Sequence, residues 1–176
     1  MKLEEYLKEH STMRSFEKGQ KIFSQGEKNL NIYFIQEGLI KAFYTSFDGK
    51  ESVKSFILPG EFIGSVRSMY MEQEASFSTV CLEDTVTLVA NFRDFYEAAS
   101  KDLELCNILN QGLLGLSQKK ETREYEFLNL SPEERYLALR ESKPVIIEKV
   151  TQNDIARYLG ITPVALSRIR KRISNK

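Results

Sequence analysis

The chain has 176 residues, 41% of them hydrophobic, with 25 lysines and arginines balanced by 25 aspartates and glutamates. That length suits one large or two small domains, and zero net charge argues against a general nucleic-acid coat. No run approaches the ~20 apolar residues of a membrane span, and the opening Met1-Lys-Leu-Glu-Glu5 lacks the apolar core of a secretion signal, so a cytoplasmic protein with no membrane partner is expected.

Taken in order, residues 1–15 predict a short amphipathic helix, with Leu3, Tyr6 and Leu7 on one face, running into a loop. From Phe16 to about Phe92 the pattern is that of β-strands. Lys21–Phe23, Asn31–Gln36, Leu39–Tyr44 and Ser52–Ile57 are short, aromatic and β-branched. Turn signals separate them: Gln25-Gly26-Glu27, Glu37-Gly38, Asp48-Gly49-Lys50 and Pro59-Gly60. Asp48-Gly49, between two apolar runs, predicts a hairpin. Phe77–Leu82 and Thr85–Ala90 make a second β stretch. Many short strands at this spacing point to a closed antiparallel roll or barrel.

From Asn91 the period changes to that of a helix. Phe92, Phe95 and Tyr96 open it, and Leu105, Cys106, Leu109, Leu113 and Leu116 continue in steps of three and four on a helix expected from about Lys101 to Leu128. This stripe either packs on the chain's own strands or forms a dimer seam. Leucines on more than one side, with Ile108, Leu114 and the small Gly112 and Gly115, favour the seam. Ser131-Pro-Glu-Glu134 then reads as a capped helix start, with proline at the first position and acids in the first turn. It marks a domain boundary.

The last thirty residues carry the strongest signal. Thr151 and Asp154 form an acidic variant of the capping box, and Ile155, Ala156 and Leu159 give an apolar face at helical spacing. Gly160 suits the positive φ of a helix end, and Thr162-Pro163 caps a second helix at once. In that second helix Leu166 and Ile169 face inward, while Ser167, Arg168, Arg170, Lys171 and Arg172 can face out. This is the layout of a helix-turn-helix whose second helix enters a DNA major groove. Charge is segregated to match: residues 130–176 hold ten basic and five acidic side chains, net +5, leaving fifteen basic and twenty acidic, net −5, for residues 1–129. From Ala156 onward there are six basic residues and no acid, the expectation for a phosphate-facing surface.

Catalytic chemistry has little to work with. A Ser-His-Asp arrangement would have to use His10, the single histidine, beside Ser11 with nothing distinctive around it. Cys81 and Cys106 have no metal-type spacing and read as buried thiols of a reducing compartment. The chain is therefore expected to be neither an enzyme nor a metalloprotein.

The order of strands, long helix and small helix-turn-helix resembles the Crp/Fnr superfamily of bacterial transcription regulators. The residues that carry the resemblance are Phe16–Gln20, Gly26-Glu27, Glu37-Gly38, Asp48–Glu51, Pro59–Gly64 and Thr151–Arg168, which together span nearly the whole chain. The resemblance implies an α+β fold in three parts: an N-terminal antiparallel β-roll (a double-stranded β-helix of cyclic nucleotide-binding type) over residues 1–98, a long dimerisation helix over 99–128, and a helix-turn-helix domain over 129–176. It also implies a homodimer on a pseudo-palindromic site in double-stranded DNA, with RNA polymerase as a further partner.

Relatives that bind cyclic nucleotides use a short helix, a glutamate for the ribose and an arginine for the phosphate. Here Gly64 keeps the family glycine, Ser65 takes the glutamate position, Ala75 takes the arginine position, and Ser76 keeps the neighbouring hydroxyl. A buried phosphate without a countercharge costs on the order of several kcal/mol. Cyclic AMP is thus not expected as a ligand. An unidentified small-molecule effector near Gly64, Ser65, Val66, Arg67, Ala75 and Ser76 stays open, as do a degenerate sensor and a plain scaffold. No other cofactor is implied, since iron-sulfur relatives use N-terminal cysteines and haem relatives need axial ligands.

At the DNA end, Thr162, Ser167 and Arg168 match the family recognition helix. Val164 replaces a glutamate that reads cytosine, so the usual half-site is not expected, and Val164 suits a thymine methyl group instead. Thr151 and Gln152 begin the first helix, where Gln152 suits a phosphate. Pro163 starts the second, and Arg170, Lys171 and Arg172 suit the DNA backbone. Most relatives continue into a β-hairpin wing, whereas this sequence ends at Lys176, so weaker phosphate contact and a shallower salt dependence are expected. The missing glutamate equivalent and the missing wing also leave an alternative, a sensory roll acting through protein partners with DNA binding lost.

Overall fold

The computed structural model describes residues 1–175; Lys176, where the sequence ends, lies outside the described residues. Helix α1 (Leu3–His10) buries Tyr6 and Leu7, and its stripe is the one its sequence spacing indicates. The segment that follows is not a loop. Strand β1 (Thr12–Phe16) pairs antiparallel with β7 (Thr85–Asn91), Thr12 opposite Val89 and Phe16 opposite Thr85. Its residues are exposed apart from a half-buried Phe16, so no alternating apolar pattern betrays this edge strand in the sequence.

Among the described residues, seven strands form two sheets. One has the order β1-β7-β2-β5, with β2 at Asn31–Glu37 and β5 at Phe62–Ile63; the other has the order β4-β3-β6, with β4 at Glu51–Ile57, β3 at Ile40–Thr45 and β6 at Ser78–Cys81. Every pairing is antiparallel. Tyr33, Ile35 and Val89 of the first sheet meet Ile40, Ala42, Ile57 and Cys81 of the second, and this shared core makes the pair a β-roll. The Asp48-Gly49 turn joins β3 to β4 as expected, with Thr45 opposite Glu51 and the Ser46 amide donating to the Lys50 carbonyl at 2.9 Å. Lys21–Phe23, expected as a strand, is only an isolated bridge from Lys21 to Val80. Phe23 is buried there as a core ring against Phe77, so its apolar run records burial rather than a ladder.

Helix α3 (Phe92–Ala99) is capped by Asn91, and α4 (Leu103–Asn129) by Asp102, whose carboxylate accepts from the amides of Glu104 and Leu105. At ~1.5 Å per residue, α4 is about 40 Å long. Its first half packs on the roll. Leu105, expected in a dimer seam, is 0% exposed and lies among Tyr6, Leu7 and Phe95 of its own chain. Seam contact through Leu105 is thereby corrected, because a side chain already enclosed has no surface left for a partner. Leu109 is half-buried in the same packing, and a Cβ on Gly112 would come 3.0 Å from the Phe62 ring, so that glycine lets the roll approach. Cys106 and Leu116 are half-buried; Leu113, Leu103 and Leu114 are exposed, the last at 70%.

Beyond α4 come α5 (Pro132–Ser142), α6 (Pro144–Lys149), α7 (Gln152–Leu159) and α8 (Pro163–Ser174). Ser131 forms the expected capping box with Glu134, donor and acceptor in both directions. The core of these helices does not close on itself. Leu39, Val53 and Phe56 from the roll complete the cluster of Tyr136, Leu139, Ile146, Ile155, Leu159, Leu166 and Ile169.

Candidate nucleic-acid interface and effector hollow

The α7–turn–α8 unit follows from its sequence chemistry. The Thr151 hydroxyl accepts from the Asp154 amide at 3.2 Å and the Thr162 hydroxyl accepts from the Ala165 amide at 3.2 Å, so both helices start at the expected caps. Gly160 ends α7 at φ 70°, ψ 31°, in the left-handed region. A side chain there would also meet the Phe127 ring of α4, 2.8 Å from the position of a Cβ. Two constraints therefore require glycine at one position.

With about 3.6 residues per turn, the inward face of α8 is set by Leu166, Ile169 and Ile173. Directly opposite lie Val164, Ser167, Arg168 and Lys171, all exposed, with Val164 at 62%. Arg170 and Arg172 flank that face. Arg172 is held sideways by Glu133 of α5 at 2.6 Å, and among the described residues no acid stands within ion-pair distance of Arg168, Arg170 or Lys171. Thr151, Gln152, Thr162 and Pro163 are exposed at the starts of the two helices. All ten residues expected at a DNA surface are thus solvent-facing, and the structure separates four on the outward ridge from one tied into an ion pair.

One acid behaves unexpectedly. Asp154 does not cap the Thr151 amide but turns toward the roll, where its carboxylate receives the Lys41 ammonium at 3.0 Å. Both residues are buried, at 7% and 8% exposure. Glu51 joins at 3.6 Å from Lys41 and pairs with Arg157 at 2.7 Å. Arg123 of α4 ties three parts together, donating to the carbonyls of Val53 at 3.0 Å and Tyr158 at 2.9 Å while its guanidinium lies 3.9 Å over the Tyr158 ring. Sequence reading missed Lys41, Glu51, Arg123 and Arg157. A signal existed in Leu39–Phe43, a strand segment buried on both faces, where a lysine demands an acid from another element.

The expected effector residues are only partly brought together. Ser65 caps the short helix α2 (Val66–Met69) and is itself buried, with Val66 and Arg67 exposed. Gly64, Ser65, Val66, Arg67 and Ser76 line a hollow of about 560 Å³ between the roll and α4. Ala75 does not. Its backbone is bonded to Gly26 and Glu27 and its methyl group sits in the roll core, which corrects its place in the pocket. Arg67 donates to the Gln73 side chain at 2.9 Å. A cation that sequence reading missed lies in the same hollow: Lys54 of β4, with its ammonium 4.8 Å over the Phe77 ring. Burial, reinforced by the charges of Lys120 and Arg123, pushes its pKa down from its ordinary value to about 8.

Comparison with known proteins agrees with this arrangement. Residues 13–102 match the model of the cyclic nucleotide-binding domain. The regulatory protein HlyX of Actinobacillus pleuropneumoniae is 30% identical over 168 residues, covering 87% of this chain and 68% of its own length. The anaerobic regulatory protein of Pasteurella multocida is 30% identical over 172 residues (91% of this chain and 62% of its own). The nitrogen fixation regulation protein FixK of Bradyrhizobium diazoefficiens is 26% identical over 164 residues (87% and 68%). The chain therefore spans 62 to 68% of the length of these relatives. Among solved structures, the fold is similar to that of FixK2 from Bradyrhizobium japonicum, with TM-score 0.80 and 18% identity over 94% of this chain and 85% of that one. It is also similar to the c-di-GMP responsive regulator CLP of Xanthomonas campestris, with TM-score 0.77 and 18% identity over 98% and 90%. Among the described residues no helix is long and apolar enough to cross a membrane. A β-roll of cyclic nucleotide-binding type, a long helix beside it and a capped helix-turn-helix beyond, in a chain that shares 30% of its residues with a regulatory protein, make this chain a member of the Crp/Fnr family of transcription regulators.

Proposed function

We propose that the protein is a non-enzymatic, DNA-binding regulator that works as a homodimer, with α8 as its recognition helix. The observation that carries this reading is the division of α8 into a buried apolar face and an outward ridge of Val164, Ser167, Arg168 and Lys171. Arg168 offers a guanidinium fork suited to a guanine edge, and Lys171 and Arg170 suit phosphates, which strengthen binding without specifying sequence. Residues 1–98 serve as sensor, 99–128 as the shared spine and 129–176 as the DNA-binding part. Exposed Leu103, Leu113 and Leu114 on α4, rather than Leu105, supply the apolar contact between copies. Two recognition helices then stand ~34 Å apart, one turn of duplex. RNA polymerase is the proposed further partner.

The sensor does not take cyclic AMP in the usual way, since Ala75 is enclosed in the roll and Arg67 is directed to Gln73. Micromolar binding of cyclic AMP in a calorimeter would overturn that half of the reading. The DNA half is tested by selecting a bound sequence from a random pool and comparing Arg168→Ala with the parent. Affinity for the selected site is expected to fall by about 1–3 kcal/mol, with the dimer unchanged in sedimentation. Unaltered affinity would sink the assignment of α8.

A further inference from the structure

Two hollows meet at the face where α4 crosses the roll, one of about 560 Å³ and one of about 660 Å³. Both are lined by Tyr44, Lys54, Phe62, Ile63, Leu116 and Lys120, so these six residues form the neck between them. Three of the other four cations lining the larger hollow are engaged, Lys143 being the fourth. Lys119 pairs with Glu61, Arg157 with Glu51, and Arg123 is spent on two carbonyls and two rings. Among the described residues Lys54 and Lys120 have no carboxylate within ion-pair distance. Two ammonium groups beside an aromatic, half-enclosed cleft, neither of them paired with an acid, are in an arrangement that costs stability unless something fills it.

We propose that this neck is the anion end of an effector site, and that its ligand is a small aromatic carboxylate held by Lys54 and Lys120 with its ring among Tyr44, Phe62 and Phe77. The inference rests on reading residues 1–98 as the sensor and names the class of molecule sensed. A flat apolar body suits the walls, because Phe77 already lies edge-on to Tyr44 with centroids 6.3 Å apart, leaving aromatic surface beside Lys54. A single carboxylate suits two ammonium groups, each of which gives it a charge-assisted bond. Such a ligand bridges β4 and α4, the two elements that Arg123 also joins to the helix-turn-helix, so its arrival is mechanically linked to the DNA end.

The charges of Lys120 and Arg123 on α4 act on Lys54, and the hollow is also lined there by Glu126 of α4, Tyr44 of β3 and Glu61 of the β4–β5 turn. Glu61 is already held by Lys119, and burial keeps Tyr44 neutral. Lys54, whose proton burial and the two neighbouring cations loosen, is the group whose charge changes first as pH rises. Affinity for a carboxylate is flat below about pH 8 and declines above it.

The test uses the full chain without DNA and two probes of one shape, 2-naphthoate and its neutral amide, titrated calorimetrically. Naphthoate is expected to bind at least about tenfold more tightly than the amide, the worth of one charge-assisted contact. Lys54→Met should cut that preference severalfold and Lys54→Met/Lys120→Met should erase it, Lys54→Arg should keep most of it, and the preference should shrink between neutral pH and about pH 10. Equal binding of acid and amide, undiminished naphthoate affinity in a folded Lys54→Met protein, or no naphthoate binding at millimolar concentration each overturns the proposal. Inorganic phosphate bound at Lys54 in place of naphthoate also overturns it, since that would make the aromatic wall irrelevant. Because no DNA is present, failure here leaves the assignment of α8 standing, and loss of that assignment is read separately from the Arg168→Ala comparison.

Discussion

The helix-turn-helix and the effector hollow both adjoin the same long helix, and they carry their chemistry differently. In the first, every functional position is set by a residue a few places away: Thr151 and Thr162 cap, Gly160 turns, and Leu166 and Ile169 fix which way Arg168 points. In the second, the decisive group is Lys54, which comes from a strand outside the expected segment and meets Lys120 only because α4 folds across β4. The contrast teaches that a DNA-reading helix is a local object with a docking constraint, whereas a ligand cleft is a property of the assembled roll.

The largest expected effect sharpens where local logic stops. Asp154→Ala removes the partner of a buried lysine, which ordinarily costs about 3–5 kcal/mol; Glu51, 3.6 Å from Lys41, keeps the loss near the lower end of that range. Urea unfolding of the single variant and of the Lys41→Met/Asp154→Leu pair measures it, and the pair should regain most of the loss. If Asp154→Ala is as stable as the parent, the ion pair is not what holds α7 on the roll.

A smaller effect concerns the hollow and has a defined sign with pH. Lys54 has a folded pKa of about 8 against an ordinary 10.5, so the unfolded chain holds more protons between those values and stability rises with pH across that window. Below about pH 8 the penalty for charging Lys54 is present in full. Lys54→Met should accordingly be more stable than the parent at neutral pH, with the difference fading toward about pH 10, in urea titrations at several pH values. No advantage at neutral pH would mean that the ammonium is better hydrated than its surroundings suggest.

The smallest is a test of the local side. Thr162→Ala deletes the cap of α8 and should cost about 1 kcal/mol in the absence of DNA, with Thr162→Asn nearly neutral. A loss confined to DNA affinity, with thermal stability intact, would move Thr162 from capping to base or phosphate contact.

The caps, the glycine turn, the Asp48-Gly49 hairpin and the switch of period after Asn91 are all legible along the chain, because each is written in residues within one or two turns of one another. The three-dimensional packing settled the other features. It made Thr12–Phe16 an edge strand, enclosed Leu105 where a seam was expected, and closed Ala75 into the core. It also turned Asp154 from a helix cap toward a lysine 113 residues away in sequence. The physical reason is common to all four. Backbone capping and hydrophobic period are short-range preferences that a linear pattern records, whereas burial and ion pairing depend on which distant surface arrives to cover a side chain.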